Sequence, residues 1–145
     1  MSPGIRPIAL GVVRRGREIL VFDAFDSVKG ERFHRPLGGG IEFGERAVEA
    51  AARELEEETG SRARIGRLLG VLENVFTHEG TPGHEIAFVF EAELEDASIG
   101  ECEEPEIVEV IDGVEHRLRG IWVDPGRLDV PLYPEELAEL IVNDA

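Results

Sequence analysis

Apolar and polar positions alternate along most of the chain, dividing it into strand-like runs around one strongly helical stretch. Arg6–Arg15 (RPIALGVVRR) and Glu18–Phe25 (EILVFDAF) read as strands joined by a short turn at Arg15-Gly16-Arg17. Ser27–Arg32 reads as a polar loop, and Phe33–Leu37 leads into the triple glycine Gly38, Gly39 and Gly40, which opens a glycine-rich loop. From Glu45 to Thr59 there is no proline or glycine, and alanine occupies positions 47, 50, 51 and 52, a strong helix-forming composition. Gly44 is placed to cap the start of that helix, and Gly60 to end it in the left-handed conformation. Arg64–Phe76 is apolar and strand-like, and Thr77–Gly83 is a turn-rich hairpin loop. His84–Leu94 sets Ile86, Phe88 and Phe90 against Ala87 and Val89; two apolar faces place it centrally in a sheet. Asp96–Glu106 is acidic and irregular. Ile107–Ile111 and Glu115–Val123 pair across an Asp112-Gly113 turn, which brings Trp122 near the core. Tyr133–Asn143 closes the chain as an amphipathic helix, with Pro134 in its first turn and Leu137, Leu140 and Ile141 inward.

The helical stretch carries the chemistry. On a wheel of 100° per residue, Val48, Ala51, Ala52, Leu55 and Thr59 form a core-facing stripe. Glu54, Glu57 and Glu58 share an adjacent face, which Ala47, Ala50 and Ala51 continue toward the helix start. Like charges at this spacing cost about 0.2–0.5 kcal/mol per pair, and acids in a last turn oppose the helix dipole. Either this is a solvated acidic face, or the cluster is made favourable by a hard divalent cation, which prefers carboxylate oxygens.

Length and composition narrow the class. A chain of 145 residues is one domain of ordinary size, and 42% hydrophobic residues suit a soluble globular protein. There is no apolar run near the ~20 residues of a membrane span, and the stretch MSPGIRPIAL carries no leader pattern, so a cytoplasmic location is expected. Thirty-one acids against 15 bases give a net charge of −16. That sign disfavours a nucleic-acid polymer as partner; a small phosphorylated ligand stays open if metal ions screen the repulsion. The single cysteine, Cys102, excludes an internal disulfide and sits among acids that disfavour a thiolate. The four histidines show no metal-ligand spacing; His34 and His84 are expected near the cleft, and His78 and His116 away from it.

Spacing adds a resemblance. Gly39, five residues, Glu45, seven residues, then Arg53-Glu54-Leu55-Glu56-Glu57-Glu58-Thr59-Gly60 resembles the signature of the Nudix hydrolases. The specified positions match except the last, where Ser61 replaces an apolar residue, and Pro36 lies one position earlier than in the family's usual Leu-Pro-Gly-Gly. The resemblance implies a single Nudix domain over residues 1–145, an α/β/α sandwich with a mixed sheet. It implies hydrolysis of the pyrophosphate bond of a nucleoside diphosphate linked to another moiety, with Mg²⁺ or Mn²⁺ as cofactor. The alternative is a Nudix-fold domain that senses a nucleotide without cutting it.

Carried over residue by residue, the resemblance makes Glu54, Glu57 and Glu58 the metal ligands, joined by a backbone carbonyl of the glycine loop at Gly39. It makes Arg53 and Glu45 the pair that orients them, and Glu54, Glu57, Arg53 and Glu45 the catalytic set. Gly38 and Gly40 would let backbone approach the ligand closely. Phe33 and Arg35 either stack on and pair with the nucleotide or serve as packing and surface residues. Glu85 is either a solvated edge residue or an inward acid. An additional carboxylate is expected from Glu101, Glu103 or Glu104, unless that loop is simply solvated. The partner the resemblance implies is a small phosphorylated nucleotide, with no membrane; a second copy of the chain is a frequent partner among relatives.

Overall fold

The computed structural model describes residues 4–144; the first three residues of the N-terminal stretch, and Ala145, lie outside the described part. In chain order the elements are β1 (Arg6–Arg15), β2 (Glu18–Asp26), β3 (Glu31–Gly40), α1 (Ala47–Thr59), β4 (Ala63–His78), β5 (Thr81–Leu94), the single turn α2 (Ser98–Glu101), β6 (Glu106–Ile111), β7 (Val114–Val123) and α3 (Glu136–Asn143). The strands form one mixed sheet in the order β4-β5-β1-β3-β2-β7-β6, mixed because β1 runs parallel to β5 while its other partners are antiparallel. β5 lies inside the sheet, as its two apolar faces predict.

Period-two alternation in β1 sends its side chains to two separate layers. Ile8, Leu10 and Val12 join Ile19, Val21, Ala87 and Val89 beneath Leu137 and Ile141 of α3. Ala9 packs with Ala50, Ala51 and Phe90 on the α1 side, where Val13 also joins Leu55, Leu37 and Trp122. At Gly11 an added Cβ would sit 2.7 Å from Leu55 Cδ2, so this glycine is what lets the leucine reach the sheet. Helices therefore cover both faces, and the expected α/β/α sandwich is the observed architecture.

Several local expectations are corrected. The triple glycine is the end of strand β3, with the loop displaced to residues 41–46. Gly38 alone of the three has a left-handed φ, 135°, and it follows the step from Pro36 to Leu37 at which β3 leaves its pairing with β2 and takes up β1. The loop expected over residues 77–83 shrinks to Glu79-Gly80, both at positive φ, because cross-strand pairing extends β4 to His78 and starts β5 at Thr81. Asp112 and Gly113 adopt the positive φ values that the predicted Asp-Gly turn requires. Helix α1 starts at Ala47 with Arg46, not Gly44, as its N-cap; the Arg46 amide donates to Glu49 Oε1 at 2.9 Å. Helix α3 starts at Glu136, since Tyr133 belongs to an extended segment laid against β3: the Tyr133 amide donates to the His34 carbonyl at 3.0 Å.

The core stripe of α1 is also rotated from the expected one. Its buried residues are Ala50, Ala51, Leu55 and Glu58, while Val48 is 40% exposed. Small alanines allow close contact with Ala9 and Phe90, and that contact turns Glu58 inward toward β3.

Candidate active site

The site is built where α1 crosses the glycine end of β3. Glu58 is 4% exposed, and its Oε1 accepts the Gly38 amide at 2.8 Å. Glu54 lies directly over Gly39: a Cβ there would stand 2.5–2.7 Å from the Glu54 carboxyl atoms. The glycine is thus required for close approach, in a conformation that places no strain on an alanine backbone. Glu57, on the more exposed side, completes the wall of a cavity of about 130 Å³ that also includes Arg6, Arg35 and Glu109.

Arg53 organises this group. Its Nε and Nη2 donate to the two oxygens of Glu45 at 2.8 and 2.9 Å, the fork geometry of a bidentate pair. Nη2 also reaches the Gly40 carbonyl at 2.9 Å, and Nη1 reaches Glu54 at 3.0 Å and Glu57 at 3.4 Å. One guanidinium therefore ties the loop after β3 to two carboxylates of α1. Its hydrogen bonds hold the Glu45 carboxyl down at about 2, with help from the Glu42 amide. Burial pushes the Glu54 carboxyl up, against Arg53. Burial pushes Glu58 well above the ordinary carboxylate range; the Gly38 amide opposes this, and the negative charges of Glu54 and Glu109 add to it.

Buried carboxylates that repel one another are the environment a hard dication relieves, and the oxygen donors of Glu54, Glu57, Glu58 and the Gly39 carbonyl suit Mg²⁺ or Mn²⁺ by type. Among the described residues, no three acidic or imidazole side chains already converge on a single ion position; Glu54 and Glu57 instead turn to Arg53.

The other expected site residues divide. Arg35 lines both the carboxylate cavity and a second cavity of about 270 Å³ on the α3 side of the sheet, as do Ile8 and Leu10, so the two adjoin across these shared residues. Phe33 is buried in the wall of the larger cavity, its ring 5.5 Å from Tyr133 and 5.7 Å from His78. Glu85 is an inward acid, paired with Arg6 at 3.3 Å. Gly40 packs against the Arg6 guanidinium. Glu101, Glu103 and Glu104 are not brought to the carboxylate cavity. All three are exposed; Glu103 pairs with Arg15 and Glu104 with Arg119, on the far side of Trp122. The downstream carboxylate that does line it is Glu109 of β6. Its signal was the alternation Ile107-Glu109, which sets it on the face of a fully buried isoleucine. Sequence reasoning also missed Arg6, a charge on the apolar Ile8–Leu10 face of β1, and it misplaced the histidines. His78, and neither His34 nor His84, lines the aromatic cavity.

Comparison with known proteins agrees with this geometry. The NUDIX domain matches residues 4–141. The chain belongs to the NUDIX family, and the class its fold and box define is that of the Nudix hydrolases. A MutT NUDIX hydrolase from Burkholderia pseudomallei superposes with a TM-score of 0.63 at 24% identity, covering 93% of this chain and 95% of that one. An ADP-ribose pyrophosphatase from Streptococcus suis superposes with a TM-score of 0.61 at 14% identity, covering 96% and 90%. A shorter similarity, 54% identical over 37 residues, links the chain to diphosphoinositol polyphosphate phosphohydrolase 2 of Rattus norvegicus, covering 26% of this chain and 21% of the rat protein. Among the described residues no helix is long and apolar enough to cross a membrane.

Proposed function

We propose that the protein hydrolyses a phosphoanhydride bond in a nucleoside diphosphate linked to another moiety, using Mg²⁺ or Mn²⁺. The observation that carries this reading is Glu58, a nearly buried carboxylate whose hydrogen-bond partner is one backbone amide and whose neighbours include two further acids. Packing alone gives no reason to bury it, because an uncompensated buried charge is strongly unfavourable.

Glu54, Glu57 and Glu58, with the Gly39 carbonyl, would hold the ion. Bound there, it would neutralise the phosphates and activate water for attack at phosphorus. Arg53 fixes the orientation of Glu54 and Glu57 and is itself held by Glu45, so the pair acts through the ligands. Arg6 and Arg35 line the same cavity and offset the negative charge of a diphosphate. Glu109, or one of the α1 carboxylates, receives the proton of the attacking water. The neighbouring cavity, walled by Phe33, Phe76 and Tyr133, accepts the nucleoside.

The test is a substrate panel of ADP-ribose, dinucleoside polyphosphates, nucleotide sugars and oxidised dNTPs, each with and without Mg²⁺ or Mn²⁺. The expected result is metal-dependent release of a nucleotide product from at least one class. Glu57→Gln should abolish that turnover and leave the melting temperature close to wild type, since Glu57 is exposed. Near-normal hydrolysis by the variant would remove the ligand assignment.

A further inference from the structure

Glu85 is the acidic residue whose position the proposed chemistry leaves unexplained. It lies within β5 with its side chain only 8% exposed, on the sheet face shared with Ala87 and Val89. One carboxylate oxygen has Arg6 Nη1 at 3.3 Å. The other has no hydrogen-bond donor among the described residues, and Glu85 lines the aromatic cavity. A carboxylate so placed accepts hydrogen bonds only, repels phosphate, and calls for a ligand that donates.

Of the other acids lining that cavity, Asp26 and Glu31 are already engaged, while Glu73, Glu135 and Glu136 are exposed to solvent. Asp26 accepts the amides of Val28, Lys29 and Glu79. Glu31 accepts the Tyr133 hydroxyl at 3.0 Å. Glu73 lies at the exposed rim beside His84. Glu85 instead stands at the junction of the two cavities. Its partner Arg6 abuts Gly40 and lines the carboxylate cavity, and Ile8, shared by both cavities, follows Arg6 on the same face of β1.

In a nucleoside 5′-phosphate the sugar lies between phosphate and base. With the phosphates beside Glu54, Glu57 and Glu58 and the base among Phe33, Phe76 and Tyr133, the sugar falls at this junction. We propose that Glu85 reads the ribose, its carboxylate accepting hydrogen bonds from the 2′- and 3′-hydroxyls, and so makes the site selective for ribonucleotides over 2′-deoxyribonucleotides. This rests on the phosphate placement proposed above. Glu85 is here a specificity-determining residue and takes no part in bond breaking. The same carboxylate disfavours nucleotides phosphorylated at the 2′ position, because a phosphate there would meet an acceptor that offers it no hydrogen.

The test compares wild type with Glu85→Gln and Glu85→Ala, after their melting temperatures have been recorded. Two readouts are used with Mg²⁺ present: binding of ADP against dADP by titration calorimetry, and kcat/KM on matched ribo- and deoxyribonucleoside triphosphates of the four bases. Wild type is expected to favour the ribo form roughly ten- to a hundred-fold in binding, the range for a hydrogen bond to a charged group. Both variants should bring that ratio within about threefold of unity. Ratios cancel any effect of releasing Arg6, since both sugars experience it equally. A wild-type ratio near one overturns the inference, and that result is available even if neither variant folds. A preference that survives in the variants, or an equal loss of turnover on both sugars with the ratio intact, also overturns it. Absence of turnover on every substrate together with a Glu85-dependent ribose preference in binding would uphold this inference and refute hydrolysis instead.

Discussion

Gly38 and Gly39 are neighbours in sequence, yet the structure assigns opposite consequences to adding one methyl group to each. At Gly39 the new Cβ would stand 2.5 Å from Glu54 Cδ and 2.6–2.7 Å from its oxygens, with backbone angles an alanine accepts. The obstruction is the far end of a flexible side chain, so the carboxyl retreats by about 1 Å to reach ordinary contact distance. Stability changes little, because glycine-to-alanine replacement without strain even gains about 0.4–1 kcal/mol from the unfolded chain. Activity should fall about a hundred-fold, the typical effect of a 1 Å misplacement at a reacting centre. At Gly38 φ is 135°, and the Cβ would lie 2.2 Å from the Ala9 carbonyl oxygen and 2.8 Å from Leu10 Cα, both backbone of an interior strand. Strain of about 1–3 kcal/mol adds to a comparable overpacking cost of roughly 1–3 kcal/mol. Thermal melting and metal-dependent hydrolysis of Gly38→Ala and Gly39→Ala, measured side by side, check both statements. Gly39→Ala with wild-type turnover and wild-type Mg²⁺ dependence would refute the placement of Glu54. Equal losses of melting temperature in the two variants would refute the distinction between side-chain and backbone obstruction.

Other outcomes follow from the same geometry. In chelator, Glu58→Gln should melt above wild type: the folded carboxyl titrates above its unfolded value, so wild type loses stability as pH rises through that interval, while glutamine still accepts the Gly38 amide. Added Mg²⁺ should raise the wild-type melting temperature and leave the variant nearly unmoved; a variant less stable than wild type at every pH would sink this account. Asp26 behaves in the opposite sense. Amide hydrogen bonds, first from Lys29 and then from Glu79 and Val28, hold its pKa down, so it stabilises the fold above the ordinary aspartate range and the contribution disappears as pH falls through the folded value. Asp26→Asn should therefore melt below wild type near neutrality and converge with it in acid, and a pH-independent gap would contradict the reasoning. Leu55→Ala removes a fully buried side chain seated over Gly11 and should cost about 2–5 kcal/mol in denaturant unfolding.

Much of the architecture was legible in one dimension because the two structural periods are local. Alternation set out β1, β2, β5, β6 and β7, alanine content set out α1, and the Asp112-Gly113 pair announced its hairpin turn. The Arg53-Glu54 and Glu57-Glu58 spacing also announced the acidic group, since neighbours on a helix are fixed by its pitch. What tertiary packing alone decided was orientation and company. Alanines 50 and 51 pressed against Ala9 and Phe90 and turned Glu58 from a surface face into the interior. Pairing with β1 from Leu37 onward converted an expected loop into strand and aimed the Gly38 amide at that carboxylate. Register placed Arg6 beside Glu85 across a parallel pair from opposite halves of the chain, while the β6–β7 hairpin delivered Glu109 in place of Glu101, Glu103 and Glu104. The sequence by itself determined which residues carry charge and at what helical or strand spacing; the tertiary structure decided which of those charges lose water. Desolvation depends on neighbours distant along the chain, so no local pattern could specify it.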